Sequence, residues 1–379
     1  MGDWAEESAK MSRIYANAVL TIAASAAENA TEGFLGVRHS REENINTSPE
    51  KTLPLRIRQD VHASDPDHSR ILLNTRGWVF QERLLSRRIL HFEKDEIIWE
   101  CRTAQACECG SDLPPLSSQP ASLRTAYTFL YESMSKAETY AWWRNVVVDQ
   151  YSDLNLTKWT DRLPALSGLA AVVRQKTQDV YLAGLWLSDL AYGLLWRPLD
   201  YREALYVDNA NGFHAPSWSW VHIKGPVSHE RRLLTTTYVQ FNGHSIELAT
   251  VDPTGAISAG ILDLQVPLFQ LEIEGSKKIE IYPLNDDSHQ VIAEVFLDSP
   301  KSQRGLMGLA LIGMRRDRIN SQFCAVSFFG VVVGNYHVVI TGQKTGQRVG
   351  HWSARFSERV SSPYNEAVIR EYMTRLILV

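Results

Sequence analysis

The sequence contains little cysteine and little net charge, and it lacks a long apolar run. Four cysteines in 379 residues are too few for a disulfide framework. This count and the absence of a signal peptide indicate the reducing cytoplasm. A net charge of -4 provides no basic surface for nucleic acid. The most apolar stretch, residues 326–340, is interrupted by glycines and polar residues, so no segment is expected to cross a membrane.

The common signatures of nucleotide-binding and hydrolytic enzymes are also missing. There is no P-loop, no glycine-rich dinucleotide fingerprint after a strand, no G-x-S-x-G and no H-E-x-x-H. Cys101, Cys107 and Cys109 lie close to Glu100 and Glu108 in the sequence. Their C-x₅-C-x-C spacing is not that of a structural zinc site, so we expect free thiols and predict no metal.

Residues 76–101 predict a helix that leads into a pair of short strands. Asn74 is the expected N-cap of this helix. Trp78, Gln81 and Leu85 follow one another at spacings of three and four, which places them on one face. Two β-prone runs separated by a polar turn come next, which is typical of a hairpin.

Two interpretations of Glu82 on this helix remain open. In the structural one it forms an ion pair with a neighbouring arginine, which is Arg76, Arg83, Arg87 or Arg88. In the functional one its carboxylate lies at the edge of a site, held there by the packed Trp78. Charged residues are usually paired or solvated, which favours the structural interpretation. His91 alternates with apolar neighbours and is predicted to be a hydrogen-bonded strand histidine rather than a catalyst.

The N-terminal residues predict a helix followed by a buried strand. Residues 3–18 are amphipathic, and Asp3 and Glu6 have the spacing of a capping box. Residues 19–24 are mostly apolar, which is typical of a central strand buried on both faces. A helix and a buried strand in this order favour an α/β layer.

Taken along its whole length, the sequence predicts three domains in an α+β protein. We expect an α/β domain, a helical domain and a β-rich domain with a C-terminal helix, at residues 1–110, 119–212 and 213–379. Residues 38–69 are polar and are expected to be a loop or insertion within the first domain. Predicted helices of the later domains cover residues 122–135, 140–151, a segment opening at 163–170, 181–196 and 361–375.

Tryptophan is concentrated in one part of the chain. Nine of the eleven tryptophans lie between Trp78 and Trp220, so the main core is expected there. Trp218 and Trp220 would present two indoles on one face of a strand, where they could stack on a sugar or a base. Packing in the core is the favoured interpretation, because Pro216 and apolar residues surround them.

Several of these segments together resemble the fungal heterokaryon-incompatibility (HET) domain. They are residues 3–24 (DWAEESAKMSRIYANAVLTIAA) and residues 76–92 (RGWVFQERLLSRRILHF), the latter closing on Trp99-Glu100-Cys101. Three later motifs resemble the region that follows HET domains in filamentous fungi, namely DRLPALSG at 161–168, YLAGLW at 181–186 and APSWSW at 215–220. In that family the first segment follows a strand with a WIDALCI-like motif. We therefore expect a chain that is truncated within the HET domain.

The resemblance implies an α/β layer related to TIR domains and a role in non-self recognition that ends in programmed cell death. Some TIR domains cleave NAD with a catalytic glutamate. Glu82 is the corresponding candidate here, with Arg76, Trp78 and Gln81 around it, and NAD would be a substrate rather than a resident cofactor. Because the other walls of the pocket would come from the absent strands, we expect no NAD cleavage by this chain.

Two further hypotheses do not involve catalysis. In the first, the chain is an interaction module whose β-rich part binds a protein partner. The strand edge at residues 19–24 would then add a strand from another chain, including a second copy of itself. A proline at Thr21 should abolish such self-association. In the second, the product does not fold stably, because absent strands expose apolar surface.

Overall fold

A computed structural model of the chain describes residues 2–35, 41–48, 51–57, 72–94, 96–110, 127, 133–200, 205–206, 215–273, 277–281, 291–297, 305–318, 323–338, 344–359 and 373–378. Helices and several sheets are present, which confirms the predicted α+β class. The chain forms two compact units. The N-terminal unit is Met1–Met134 with Asn155–Thr157, and the C-terminal unit is Ser135–Leu154 with Lys158–Val379. The division into three domains stays a prediction.

The N-terminal unit combines two helices, a separate hairpin and a small sheet. In chain order its elements are α1 (Gly2–Asn17), β1 (Thr21–Ala23), β2 (Arg41–Ser48), β3 (Lys51–Ile57), a 3-10 turn (Leu72–Thr75), α2 (Gly77–Leu85), β4 (Arg88–Phe92), β5 (Ile97–Cys101) and β6 (Gln105–Cys107). The sheet has the order β1-β4-β5-β6. β1 runs parallel to β4, and the remaining pairs are antiparallel.

Side chains alternate strictly between the two faces of β4 and β5. Ile89 and His91 of β4 are buried, as are Ile98 and Glu100 of β5. This period of two is the ordinary pleat of a sheet with one covered face. The covered face therefore holds one histidine and one glutamate among its isoleucines.

The predicted N-cap of α2 is wrong. Asn74 lies inside the 3-10 turn, and the residue at the cap position is Arg76, which has extended backbone and makes no side-chain cap bond. The Gly77 N–H instead donates to the Asn155 carbonyl oxygen at 2.8 Å. A backbone group from another part of the unit thus satisfies a donor that a cap would serve.

Strand β1 is not the strand buried on both faces that the apolar run predicted. Val19 is 78% exposed and Ile22 is 57% exposed. Among the residues that the structure describes, β1 pairs with β4 alone. A three-residue strand with one neighbour lies at the edge of a sheet, where its side chains remain open to solvent.

Residues 38–69 contain a hairpin rather than only an irregular loop. β2 and β3 pair antiparallel from Arg41 opposite Ile57 to Ser48 opposite Lys51. The ladder satisfies the backbone groups of this polar segment, so regular structure forms without a strongly apolar sequence. The other residues of the segment lie outside the described part of the chain.

The C-terminal unit opens with helices. α3 (Lys136–Trp142) continues through a π-helical segment (Trp143–Val148) into α4 (Asp149–Ser152), and a 3-10 turn (Trp159–Asp161) leads to α5 (Pro164–Thr177). Ser135 and Glu138 form a capping box at the start of α3. These elements confirm the helices predicted at 140–151 and from 163. Of the helix predicted at 122–135, only 127 and 133–135 lie among the described residues.

The remaining elements are mainly strands. Short pieces come first, namely β7 (Tyr181–Leu182), β8 (Leu185–Trp186), a 3-10 turn (Leu187–Asp189), α6 (Leu190–Gly193), β9 (Trp196–Pro198), β10 (Leu205–Tyr206), a 3-10 turn (Trp220–His222), β11 (Ile223–Lys224) and β12 (Val227–His229). A nine-stranded sheet follows, built from β13 (Thr236–Thr237), β14 (Gln240–Leu248), β15 (Ile257–Ile273), β16 (Lys277–Ile281), β17 (Val291–Leu297), β18 (Gly305–Arg318), β19 (Phe323–Val338), β20 (Lys344–Arg359) and β21 (Met373–Leu378).

Most strands of this large sheet pair antiparallel with their neighbours. β15 contacts β14, β18 and β21, and β19 lies between β18 and β20. The exception is β21, which runs parallel to β20. The last part of the helix predicted at 361–375 is strand in the structure, because residues 373–375 belong to β21. Residues 360–372 lie outside the described part.

The apolar helix predicted at 181–196 is wrong for most of its length. Residues 181–186 form the hairpin β7–β8, with Ala183 and Gly184 at its turn. Both turn residues have positive φ, 45° and 100°, which is the backbone of a tight hairpin and is incompatible with a right-handed helix. Only Leu190–Gly193 is helical, and β9 begins at Trp196.

The indoles form the core of the C-terminal unit, as the sequence predicted. Among the described residues, five tryptophans are fully buried, namely Trp143, Trp186, Trp196, Trp218 and Trp220. Two of their ring nitrogens donate to backbone carbonyl oxygens, since Trp196 Nε1 donates to Trp218 O and Trp218 Nε1 donates to Gly260 O. Packing was therefore the correct interpretation of Trp218 and Trp220. They lie at a turn and the start of a 3-10 helix rather than on a strand.

Candidate functional site

A close backbone approach fixes the start of helix α2, which carries the predicted site residues. Gly77 N donates to Asn155 O, and Asn155 N donates to Thr75 O at 2.7 Å. A Cβ on Gly77 would come within 2.6 Å of the Leu156 side chain. The position therefore accepts glycine alone without rearrangement. This contact places the helix, and with it Glu82, within the N-terminal unit.

Glu82 is held by a tyrosine of helix α1 rather than by its sequence neighbour. Its side chain forms a hydrogen bond with Tyr15 and lies within electrostatic range of Arg76. Burial raises the pKa of Glu82 above its ordinary value, although Tyr15 and Arg76 oppose the rise. Burial and the nearby carboxylate also raise the pKa of Tyr15. Of the four arginines that the sequence offered as partners, Arg76 is thus the one that interacts with Glu82, whereas Arg83 pairs with Glu100.

The other predicted site residues have unequal access to solvent. Arg76 is exposed and Trp78 is partly exposed, whereas Gln81 is completely buried. A completely buried amide cannot form the wall of an open pocket. The structure thus brings Arg76 to Glu82, and it places Gln81 in the packed interior.

A chain of polar side chains, buried except for the partly exposed Arg83, crosses the covered face of the small sheet. Arg83 donates to both carboxylate oxygens of Glu100, with Nε–Oε2 and Nη2–Oε1 distances of 3.0 and 3.1 Å. The same carboxylate lies 2.9 Å from His91 Nε2. His91 Nδ1 lies 3.3 Å from Ser25 Oγ, just after the end of β1. His91 is thus the hydrogen-bonded strand histidine that the sequence predicted.

Sequence reasoning missed Ser25 and the Arg83–Glu100 pair. A signal was present, because His91 and Glu100 occupy the buried positions of two alternating strands. A charged residue at such a position needs a partner, and facing strands supply it. The register alone would have brought the two side chains together.

The order serine, histidine, carboxylate is the order of a hydrolase triad. Ser25 is 4% exposed, however, and the histidine and the carboxylate beside it are also buried. A nucleophile must meet its substrate, so this arrangement cannot act as a triad in the described conformation. The role of these side chains here is to provide hydrogen-bond partners for one another and to pair the buried carboxylate of Glu100 with Arg83.

The C-terminal unit has a cavity of about 560 Å³ between the end of α5 and the loop at residues 252–254. Two carboxylates line it. Asp179 accepts hydrogen bonds from Tyr140 Oη and Ser188 N, and Asp252 accepts from Thr254. Both carboxylates thus stabilise local structure, and we assign them no chemistry.

The N-terminal part of the chain is similar to a known protein family. Residues 1–82 match the sequence model of the family described as heterokaryon incompatibility protein (HET). The predicted resemblance is therefore confirmed for this segment, which ends at Glu82. No curated protein and no solved structure gave a match. Among the described helices, none combines the length and the apolar character needed to cross a membrane.

Proposed function

We propose that this protein acts in heterokaryon incompatibility, the fungal non-self recognition reaction that ends in programmed cell death. The match of residues 1–82 to the HET family carries this proposal. The protein acts in the cytoplasm and through protein contacts. The net charge of -4 supports a protein partner over a nucleic acid, because binding to phosphates favours a basic surface.

We further propose that Glu82 does not catalyse NAD cleavage in this chain. Its carboxylate is hydrogen-bonded to Tyr15, and its neighbour Gln81 is buried, so the residues do not surround an open ribose-sized pocket. A catalytic carboxylate needs a substrate beside it. Nicotinamide release by the purified chain should therefore equal that of Glu82→Gln. Release by the parent chain that Glu82→Gln lacks would support the NAD-cleaving alternative.

Inducible expression of the full chain in a filamentous fungus tests the cell-death role. Viability should fall on induction, and it should fall equally with Glu82→Gln. Glu100→Ala should restore viability, because it breaks the buried chain that holds the N-terminal unit together. Lys10→Ala is the matched control, since it removes an exposed ion pair with Glu7. Full viability with abundant parent protein would refute the proposal.

Self-association through β1 is a second candidate function. Apolar side chains are exposed at Ile22 of β1 and at Val19, two residues before the strand, and in the described part of the chain one side of β1 is paired. Such an edge can accept a strand from a second copy. Sedimentation should show a concentration-dependent dimer that Ile22→Lys abolishes. Leu248→Lys, at an exposed position of β14, is the control and should leave the dimer intact. A monomer at all concentrations would exclude this candidate.

A further inference from the structure

Two cysteines and a glutamate meet where strands β5 and β6 come together. Glu96 lies directly before β5, Cys107 is the last residue of β6, and Cys109 follows two residues later. Cys107 stands opposite Ile98 in the antiparallel register, and Glu108 N donates to Ile97 O at 3.1 Å. The ladder thus holds the three side chains at one end of the strand pair.

The atoms of these three side chains that could bind a metal ion lie close together. The Cys107 thiol donates to Glu96 Oε2 at 3.2 Å, and Cys109 N donates to Cys107 Sγ at 3.4 Å. One carboxylate oxygen and the two sulfurs lie within 4.8 Å of one another. Glu96 is 2% exposed and Cys107 is 9% exposed, while Cys109 has partial access to solvent.

We propose that Glu96, Cys107 and Cys109 bind a thiophilic divalent cation of the Zn²⁺ class. Two thiolates and a carboxylate are ligands that Zn²⁺ accepts, and softness of the sulfurs selects against Mg²⁺ and Ca²⁺. With zinc–sulfur bonds of about 2.3 Å, the ligand atoms of a tetrahedral site lie about 3.8 Å apart. The ligand atoms here lie within 4.8 Å of one another, so the distances between them need to shorten by about 1 Å at most when the cation binds. Three protein ligands leave the fourth position to solvent, on the side where Cys109 is accessible.

The spacing of the cysteines concealed this ligand set. Cys101 was part of the sequence cluster, yet it does not belong to the group, and its sulfur lies 3.5 Å from Thr103 Oγ1. The third ligand is Glu96, eleven residues before Cys107 and brought beside it only by the pairing of β5 with β6. A ligand contributed across a strand pair leaves no short motif in the sequence.

The cation would connect the start of β5 to the end of β6 in the folded unit. A ligand that binds the folded state alone raises stability in proportion to the logarithm of its concentration. The full chain, purified in reducing buffer and dialysed against Zn²⁺, should therefore retain one equivalent by elemental analysis. Its melting temperature should rise with added Zn²⁺ and should not rise with Mg²⁺.

Single-ligand variants of the full chain test the assignment. Cys109→Ser and Glu96→Gln should weaken Zn²⁺ binding by at least about 100-fold in a chelator competition, beyond the 10- to 100-fold that changes outside the ligand shell cause. Both changes conserve size, and circular dichroism checks that each variant folds. Cys101→Ser is the matched control, because it removes a nearby free thiol outside the group.

Co²⁺ supplies an independent readout. The parent and Cys101→Ser should show sulfur-to-cobalt charge-transfer absorption, and the loss of one thiolate in Cys109→Ser should weaken it. The proposal is overturned if the folded parent retains no Zn²⁺, or if Cys109→Ser retains as much as Cys101→Ser. A Cys107–Cys109 disulfide in the reduced preparation, seen as a mass lower by two hydrogens, would also overturn it.

Discussion

His91 Nε2 lies 2.9 Å from Glu100 Oε2, on the covered face of adjacent antiparallel strands. Arg83 reaches the same carboxylate from helix α2. One buried glutamate therefore connects the helix to the sheet through two different partners. We therefore expect the stability of the N-terminal unit to depend on this carboxylate more than on the exposed charges around it.

Glu100→Gln should destabilise the N-terminal unit by about 2–4 kcal/mol, because it leaves a buried partner unmatched. Hydrogen exchange of the β4 and β5 amides measures the effect within this unit. Lys10→Met removes an exposed ion pair with Glu7. It should change the opening free energy obtained from hydrogen exchange by about 0.5 kcal/mol or less. Equal exchange in the two variants would mean that Glu100 contributes no more than a surface charge.

Gly77→Ala should destabilise the N-terminal unit by about 1–3 kcal/mol through overpacking. The added methyl would meet Leu156 Cδ2 at 2.6 Å. Gly33→Ala is the control, because nothing lies within 4 Å of its Cβ position. Leu156→Ala in the Gly77→Ala background should recover part of the loss, which hydrogen exchange at α2 would detect. Additive effects of the two substitutions would show that they do not clash.

Gly184→Ala should be more damaging than Gly225→Ala. Both glycines have positive φ, 100° and 115°, so each substitution strains the backbone by about 1–2 kcal/mol. At Gly184 the methyl would also lie 2.5 Å from Trp220 Nε1, whereas nothing lies within 4 Å at Gly225. Urea unfolding monitored by tryptophan fluorescence should show a larger loss for Gly184→Ala. Equal losses would assign the whole effect to the backbone.

Asp189 should make the C-terminal unit less stable as pH rises from about 4 to about 6. Burial raises its pKa to about 6, Arg144 opposes the rise, and Asp179 adds to it. A raised folded pKa means that the folded state binds the proton more tightly, so stability is lost as that proton leaves. The unfolding midpoint in urea, measured at several pH values, should fall across this window relative to Asp189→Asn.

Asp263 is the control of opposite sign. Arg375 donates to this carboxylate and holds its pKa below the ordinary value. Its contribution is therefore present above the ordinary pKa of an aspartate and is lost as pH falls below it. Relative to Asp263→Asn, the parent should lose stability on acidification.

The opposite result at Asp189 would contradict that prediction. If the parent gains stability relative to Asp189→Asn as pH rises, the ion pair with Arg144 outweighs the effect of burial at Asp189.

The α+β class, the helices near 140 and 164 and the tryptophan core were all predictable, because composition and local periodicity carry them. The hairpin at 181–186 was not, since an apolar run of that length suits either a helix or a strand. Ala183 and Gly184 decide it through their positive φ. The predicted burial of β1 on both faces was also wrong. Its apolar residues favoured a central strand, but the structure gives this strand one neighbour among the described residues.

By itself, the sequence determined the HET resemblance, the strand histidine and the position of the indole core. Each depends on residue type and spacing along the chain. Only the tertiary structure decided that Glu82 contacts Tyr15, that Arg83 and His91 share Glu100, and that Glu96 approaches Cys107. Those contacts join residues through helix packing and strand register, and no local pattern specifies which distant side chain arrives at a given point.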